Sequence, residues 1–350
     1  MRAFFRPLLT VVTLLAVTLM VGTAQARMQA MDDSELAAVS GQGFVNLNAE
    51  SNGGIDYTRI NLGLNLQTSL NMNKLQLGLY PRAGEEIGTS DILINNFALG
   101  TVNDATGQIN PFMINDPFVE LAYSGNKIVG MRVGFAEAKG TLSGDIQRLS
   151  GSVPIHIKGT AGPVLDNSSG FTRFLLGVAG ISRSTILEAD AELVSNPSGN
   201  PDPIRATHAG VLNGVPLDCT ANCGLGGLSD ALLSLFKSQG CEVTGTQTCF
   251  PLNQFQSLPI GNAAVSDNLA TAAIEGVAKG FFISLQTQNV AWKDLDSGSY
   301  KTALAGAFLN IPKFRDANGN LVAPVNINFD QVFSGIPRAD TCLGSPVQGC

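Results

Sequence analysis

Between Thr58 and Tyr80 apolar and polar residues alternate at nearly every step, and no other stretch constrains the fold as tightly. Ile60, Leu62, Leu64, Leu66, Thr68, Leu70 and Met72 take the even positions, while Asn61, Gly63, Asn65, Gln67, Ser69, Asn71 and Asn73 take the odd ones. Successive side chains of a strand point to opposite faces, so this period of two describes one apolar and one amide-rich face. A helix would scatter the same leucines around its circumference. At Asn73-Lys74 the phase slips, and Leu75, Leu77 and Leu79 carry the apolar role on odd positions. The slip predicts either a β-bulge, which keeps the apolar side chains on one face, or a turn into a second strand. The expected fold is mainly β: a large antiparallel sheet structure, sandwich or solenoid-like, with a short N-terminal helix and a disulfide-tied helical insertion.

The same period returns along the chain. Val129, Met131, Val133 and Phe135 alternate with Gly130, Arg132 and Gly134, after a hairpin turn at Ser124-Gly125-Asn126-Lys127. Val153, Ile155 and Ile157 alternate with Pro154, His156 and Lys158; Pro154 lacks an amide proton, which predicts an edge strand or a bulge. Leu187, Ala189, Ala191 and Leu193 alternate with Glu188, Asp190 and Glu192, an acidic face that must meet solvent or cations. Helical patterns cover Leu228 to Lys237 and Asp267 to Lys279, the second capped by Ser266 and stopped by Gly280. Asn318-Gly319 reads as a tight turn, and Val325, Ile327 and Phe329 as a final strand. The expected organisation is a signal peptide (1–26), a short helix (27–43), a β domain (44–196), a Cys-containing helical insertion (197–280) and a C-terminal β segment with a disulfide tail (281–350).

Residues 1–26 have the build of a secretory signal: Arg2 and Arg6, an apolar run from Leu8 to Val21, and an Ala24-Gln25-Ala26 cleavage motif. The run is shorter than the roughly 18–20 residues of a transmembrane helix, and none elsewhere is long enough. Export places the mature chain in the periplasm, at the outer membrane or outside the cell, with no transmembrane helix after cleavage. Without Arg2 and Arg6 it carries 19 basic residues against 28 acidic ones, about −9, which argues against nucleic acid as a partner. In an exported chain the six cysteines, Cys219, Cys223, Cys241, Cys249, Cys342 and Cys350, read as three disulfides. Of the pairings open to six cysteines, local closure favours Cys219–Cys223, Cys241–Cys249 and Cys342–Cys350, because each partner is already near.

Catalytic and metal chemistry find little support. There is no G-x-S-x-G elbow, H-E-x-x-H, phosphate loop or dinucleotide fingerprint after a strand. The two histidines, His156 and His208, fall on an outward strand face and in a loop. The cysteine spacings C-x3-C and C-x7-C are poor for zinc, and no histidine lies beside them. The Asp294–Gly298 and Asp316–Asn320 stretches offer oxygen ligands but lack the spacing of a calcium loop, and Asx turns explain them. The chain is expected to be no enzyme and to need neither metal nor cofactor.

The segment after the signal carries Met28, Met31, Asp32, Asp33, Leu36, Val39, Gly41 and Gln42. It resembles the mature start of secreted gammaproteobacterial β-rich proteins with a D-D-x-x-L-x-x-V-x-G-Q pattern, some labelled pilus-system (Fil-type) proteins. The resemblance implies an envelope or surface-associated protein and supplies no site residues. Three destinations remain for the apolar strand face. An outer-membrane barrel would turn it to lipid, but one Trp and four Tyr make poor aromatic girdles and the chain ends Gly349-Cys350. A filled core is the commoner arrangement. The expected role is therefore surface assembly or adhesion with other envelope or surface proteins. The alternative is a carrier of a lipid or other apolar ligand, lined by Ile60, Leu62, Leu64, Leu66, Leu70 and Met72.

Overall fold

A computed structural model describes residues 45–342 apart from 104, 225–232, 234–236, 244, 262–275 and 317. The expected signal peptide and N-terminal helix lie outside the described residues. In chain order come β1 (Val45–Asn52), β2 (Ile55–Leu62), β3 (Asn65–Thr68), β4 (Leu70–Leu79), β5 (Ser90–Leu99), β6 (Thr101–Asn103), β7 (Gln108–Asn110), β8 (Phe112–Ser124) and β9 (Lys127–Arg148). After β10 (Gly151–Ser152) and β11 (Ile155–Thr160), helices α1 (Gly162–Asp166) and α2 (Gly170–Val178) lead to β12 (Ile186–Val194). Next are β13 (His208–Val211), β14 (Asp218–Ala221), β15 (Glu242–Val243), β16 (Thr246–Gln247), β17 (Cys249–Pro251), β18 (Ser257–Ile260) and β19 (Ala278–Gln286). Last are β20 (Val290–Lys293), β21 (Tyr300–Ala303), β22 (Gly306–Asn310), β23 (Phe314–Arg315), β24 (Leu321–Val322), β25 (Val325–Ile327) and helix α3 (Phe329–Ser334). The protein is mainly β, as the alternation demands.

Strand β9 is the spine of an eleven-stranded sheet in the order β1-β2-β8-β9-β19-β22-β10. Its first half pairs with β8 and β19, and its second half with β5 and β18. A second sheet, β17-β13-β12-β11-β25, has β14 also paired to β12. The main core draws Ile92, Ile94, Leu142 and Ile146 from the first sheet and Ile157, Leu187, Ala189 and Leu193 from the second. The acidic alternation of β12 is realised: its apolar positions are buried, while Glu188, Asp190 and Glu192 stay in reach of solvent. A smaller core, with Tyr57, Phe118, Phe282 and Trp292, sits where the β20–β21 hairpin meets the larger sheet.

Several expectations are corrected. The Thr58–Tyr80 stretch is extended but not one strand: β2 and β3 pair with β8, whereas β4 pairs with β5. The break falls at Leu64, whose carbonyl accepts from the Asp116 amide at 2.8 Å. The phase slip at Asn73 is met by Asn96 on β5, a residue at φ 51 beside which β5 shifts register against β9. Met72 and Leu75 thus face Phe97 and Ile94, both in the main core. Strand β11 is no edge: β12 flanks it on one side and β25 on the other, and the ladder begins at Ile155, beyond Pro154. Phe329 starts a helix, because the Asn328 side chain accepts the Gln331 amide and Gln331 returns a bond to the Asn328 amide.

The segment 197–280 is not a separate helical insertion. Its described residues are mostly strand: β13, β14 and β17 build the second sheet, and β18 pairs with the spine. Most of both expected helices lies outside the described residues, and Ala278 and Lys279 already belong to β19. The disulfides Cys219–Cys223 and Cys241–Cys249 form as local closure predicts. Cys342 is disulfide-bonded, and Cys350 lies outside the described residues. Closing the loop between Cys241 and Cys249, eight residues apart, stabilises by about 2–3 kcal/mol on the chain-entropy account. Replacing both cysteines with serine is therefore expected to lower the denaturation midpoint, and an unchanged midpoint would refute that contribution.

Candidate functional site

Alternation gives the larger sheet two faces of opposite character. On β19, Phe281 and Ile283 turn to the main core while Phe282 turns to the smaller one. On the Phe282 side, one register row reads Asn48, Arg59, Glu120, Arg132, Ser284, Phe308. The β20–β21 hairpin covers this side, and Arg132 and Glu120 are each 1% exposed. Arg132 donates through Nε to Glu120 and through Nη1 to the Lys293 carbonyl at 2.9 Å. Its guanidinium lies over Phe282, Trp292 and Phe118, 4.9–5.2 Å from the ring centres. Burial pulls its pKa below the usual guanidinium value, and Glu120 opposes the shift. Lys293 closes the rim by donating to Glu50 at 2.5 Å.

Sequence reasoning took this Gly130-Arg132-Gly134 side for the outward one, and the structure reverses that. A Cβ on Gly134 would stand 2.5 Å from the Phe118 ring, and one on Gly130 3.0 Å from Trp292. The glycines leave the space that the aromatics fill. The only advance signal was Glu120, a lone charge in phase with Phe118 and Ala122. Tyr57, in the same core, donates to the Ala291 carbonyl at 2.6 Å. Burial, with Tyr300 and Glu120 adding, pushes the Tyr57 pKa from 10.0 to about 12. Because the folded value is raised, this contribution to stability is complete below pH 10 and is lost as pH rises through about 12. Stability of the wild type should therefore fall more steeply in that window than stability of Tyr57→Phe; parallel curves would count against the assignment.

The other face is apolar and open. One row reads Leu47, Ile60, Val119, Val133, Ile283, Leu309, and the next Ala49, Thr58, Leu121, Met131, Leu285, Ala307. Neither row contains a charge. Leu309 is 5% exposed within the main core, but Val133 is 44% exposed and Leu47 66%. The core thus thins toward β1, leaving apolar side chains in water. At one end, Ile128, Met131 and Leu285 line a cleft of about 520 Å³ with Tyr80, Gln286 and Gly306. Its volume falls within the roughly 300–1,000 Å³ of small-ligand sites.

The six residues expected to line an apolar site are split by the strand breaks. Ile60 and Leu62 lie on β2, Leu64 in the bend, Leu66 on β3, and Leu70 and Met72 on β4. None is buried: Ile60, Leu66 and Leu70 are exposed, and the other three are half-buried. Of the six, the open rows include only Ile60. Their other members come from β1, β8, β9 and β19, whose pairing the sequence does not reveal. This overturns the filled-core expectation for these side chains.

His156 forms a surface ion network, its Nδ1 3.1 Å from Asp190 and its Nε2 3.7 Å from Glu188. Burial pushes the Asp190 carboxyl up, but hydrogen bonds from Lys313 and His156 carry it below its usual value. No hydroxyl or thiol side chain is among the described residues lining the cleft beside His156. His208 meets the Thr207 hydroxyl at 2.9 Å, and burial lowers its pKa. The two Asp-rich stretches are Asx turns: Asp294 accepts the Asp296 and Ser297 amides, and Asp316 those of Asn318 and Asn320. Among the described residues no cluster of three His, Cys, Asp or Glu could hold a metal ion, and no helix is long and apolar enough to cross a membrane.

The sequence profile of a family of unknown function (DUF6160) matches residues 7–107, which take in the first five strands and little of the remaining chain. No curated protein and no solved structure matches.

Proposed function

We propose that the protein is an exported, non-enzymatic component of the bacterial envelope or cell surface. It acts in surface assembly or adhesion through the open apolar face of its larger sheet. One observation supports this reading above the rest: two adjacent uncharged rows leave the core and run into solvent as far as Leu47. Contiguous apolar patches beyond a few hundred Å² are unusual on monomers and mark interaction surfaces. The disulfides fit an oxidising compartment, and the resemblance to pilus-system proteins points the same way. The reading is tested by expressing Val133→Glu/Leu285→Glu and measuring retention in washed envelope fractions. Both positions are already partly exposed, so the fold should survive while retention falls sharply. Unchanged retention would refute the role of this face. The cleft between Tyr80 and Leu285 favours a second reading, a carrier of an apolar ligand; lipid extraction and mass spectrometry of the purified protein test it, and the absence of stoichiometric acyl chains would count against it.

A further inference from the structure

The apolar face needs an occupant, and its own chemistry narrows the choice. It is built of consecutive antiparallel strands, β1, β2, β8, β9 and β19. Sheets bury such faces against other sheets, about 10 Å apart, with their side chains interdigitating. The twelve positions of the two rows carry no charge, so two copies of the face meet without repulsion or desolvated ions. The side chains that stand out most, Leu47, Val133, Met131 and Leu285, are flexible or branched aliphatics suited to such packing. Together with Val45, Ile60, Val119 and Leu121 they expose an area approaching the ~800 Å² per partner of a standard stable interface. The outer strand β1 adds to this. Val45–Asn52 contains neither lysine nor proline, the residues that ordinarily guard a sheet edge. Its Glu50 is turned to the opposite face, toward Lys293.

We propose that a second copy of this chain covers the face, sheet against sheet, so that the protein is a symmetric dimer. The proposal rests on the assembly reading above and names its first partner. Like faces meeting about a two-fold axis form a closed, isologous contact. The smaller core and its ion pair stay on the outer side of each sheet, away from the contact.

The test is sedimentation equilibrium of the exported chain, disulfides formed, over a concentration series. Wild type is expected at twice the chain mass, with Met131 oxidised by peroxide more slowly as the dimer fills. Val133→Glu/Leu285→Glu should keep the wild-type circular dichroism but weaken dimerisation on the order of a hundredfold or more, since carboxylates would be buried unpaired. Leu321→Glu, at an exposed apolar position on β24, should leave the mass unchanged. A wild-type monomer at every concentration overturns the proposal, as does a monomer carrying extractable acyl chains. A dimer indifferent to the face substitutions, or a Met131 oxidation rate independent of concentration, overturns it too. Envelope retention separates the two levels: a monomer whose retention still depends on Val133 and Leu285 leaves assembly standing with a different partner. A face-dependent dimer whose retention ignores those substitutions removes the assembly reading instead.

Discussion

Replacing Glu120 with alanine is expected to cost the fold about 3–5 kcal/mol, because Arg132 would keep its charge in the smaller core with no carboxylate beside it. Both side chains are 1% exposed, so water cannot make up the loss without opening the β20–β21 hairpin. The Lys293 carbonyl and the three aromatic rings around Arg132 offset part of the cost, but they do not carry a full negative charge. Denaturant unfolding of the single variant should show a large drop in midpoint. The double variant Glu120→Leu/Arg132→Met should recover most of it, since a packed apolar pair removes the desolvated ions altogether. A double variant as unstable as Glu120→Ala would mean that the pair contributes something hydrophobic packing cannot replace.

The second large effect is expected at Asp91, which no solvent reaches. Its Oδ1 accepts Arg205 Nε at 2.9 Å, and its Oδ2 accepts the Ala307 amide at 2.8 Å. Arg205 in turn donates to Glu85 and to the Tyr80 carbonyl, with its guanidinium 4.9 Å from the Tyr80 ring centre. Burial alone would lower the Arg205 pKa, but Asp91 and Glu85 outweigh it and hold the pKa above its usual value. The carboxylate therefore ties the β4–β5 hairpin to the loop before β13 and to the start of β22. Asp91→Ala leaves a buried guanidinium with one partner fewer and an unpaired amide, a loss of about 3–5 kcal/mol. Asp91→Asn, which keeps the shape, should lose less. Equal midpoints for wild type and Asp91→Ala would show that Glu85 alone suffices for Arg205.

The fold class was legible because period-two alternation is a local property. The pairs Leu187/Glu188 and Leu75/Gln76 state which face they prefer wherever the strands lie. What alternation cannot state is what covers each face. Val133 and Arg132 are neighbours, and their order of burial is set by Trp292 on a hairpin some 160 residues away in the chain. Glycine was the missed clue, for Gly130 and Gly134 mark the face approached by aromatics, not the face left to water. The strand break at Leu64 was hidden for a similar reason, since its cause is the Asp116 amide on another strand. Local disulfide closure could be foreseen because it needs no distant partner. The Asp91–Arg205 tie, 114 residues apart, could not.

The central claim is that the face of Leu47, Ile60, Met131, Val133 and Leu285 is open in the isolated chain and covered where the protein works. Hydroxyl-radical footprinting, read residue by residue on dilute purified protein and on washed envelopes, tests it most directly. The account predicts strong labelling of these five side chains in the dilute sample and marked protection in the envelope, with Leu321 and Phe171 labelled alike in both. Equal labelling of the five in the two samples, or their protection already in the dilute one, would contradict it.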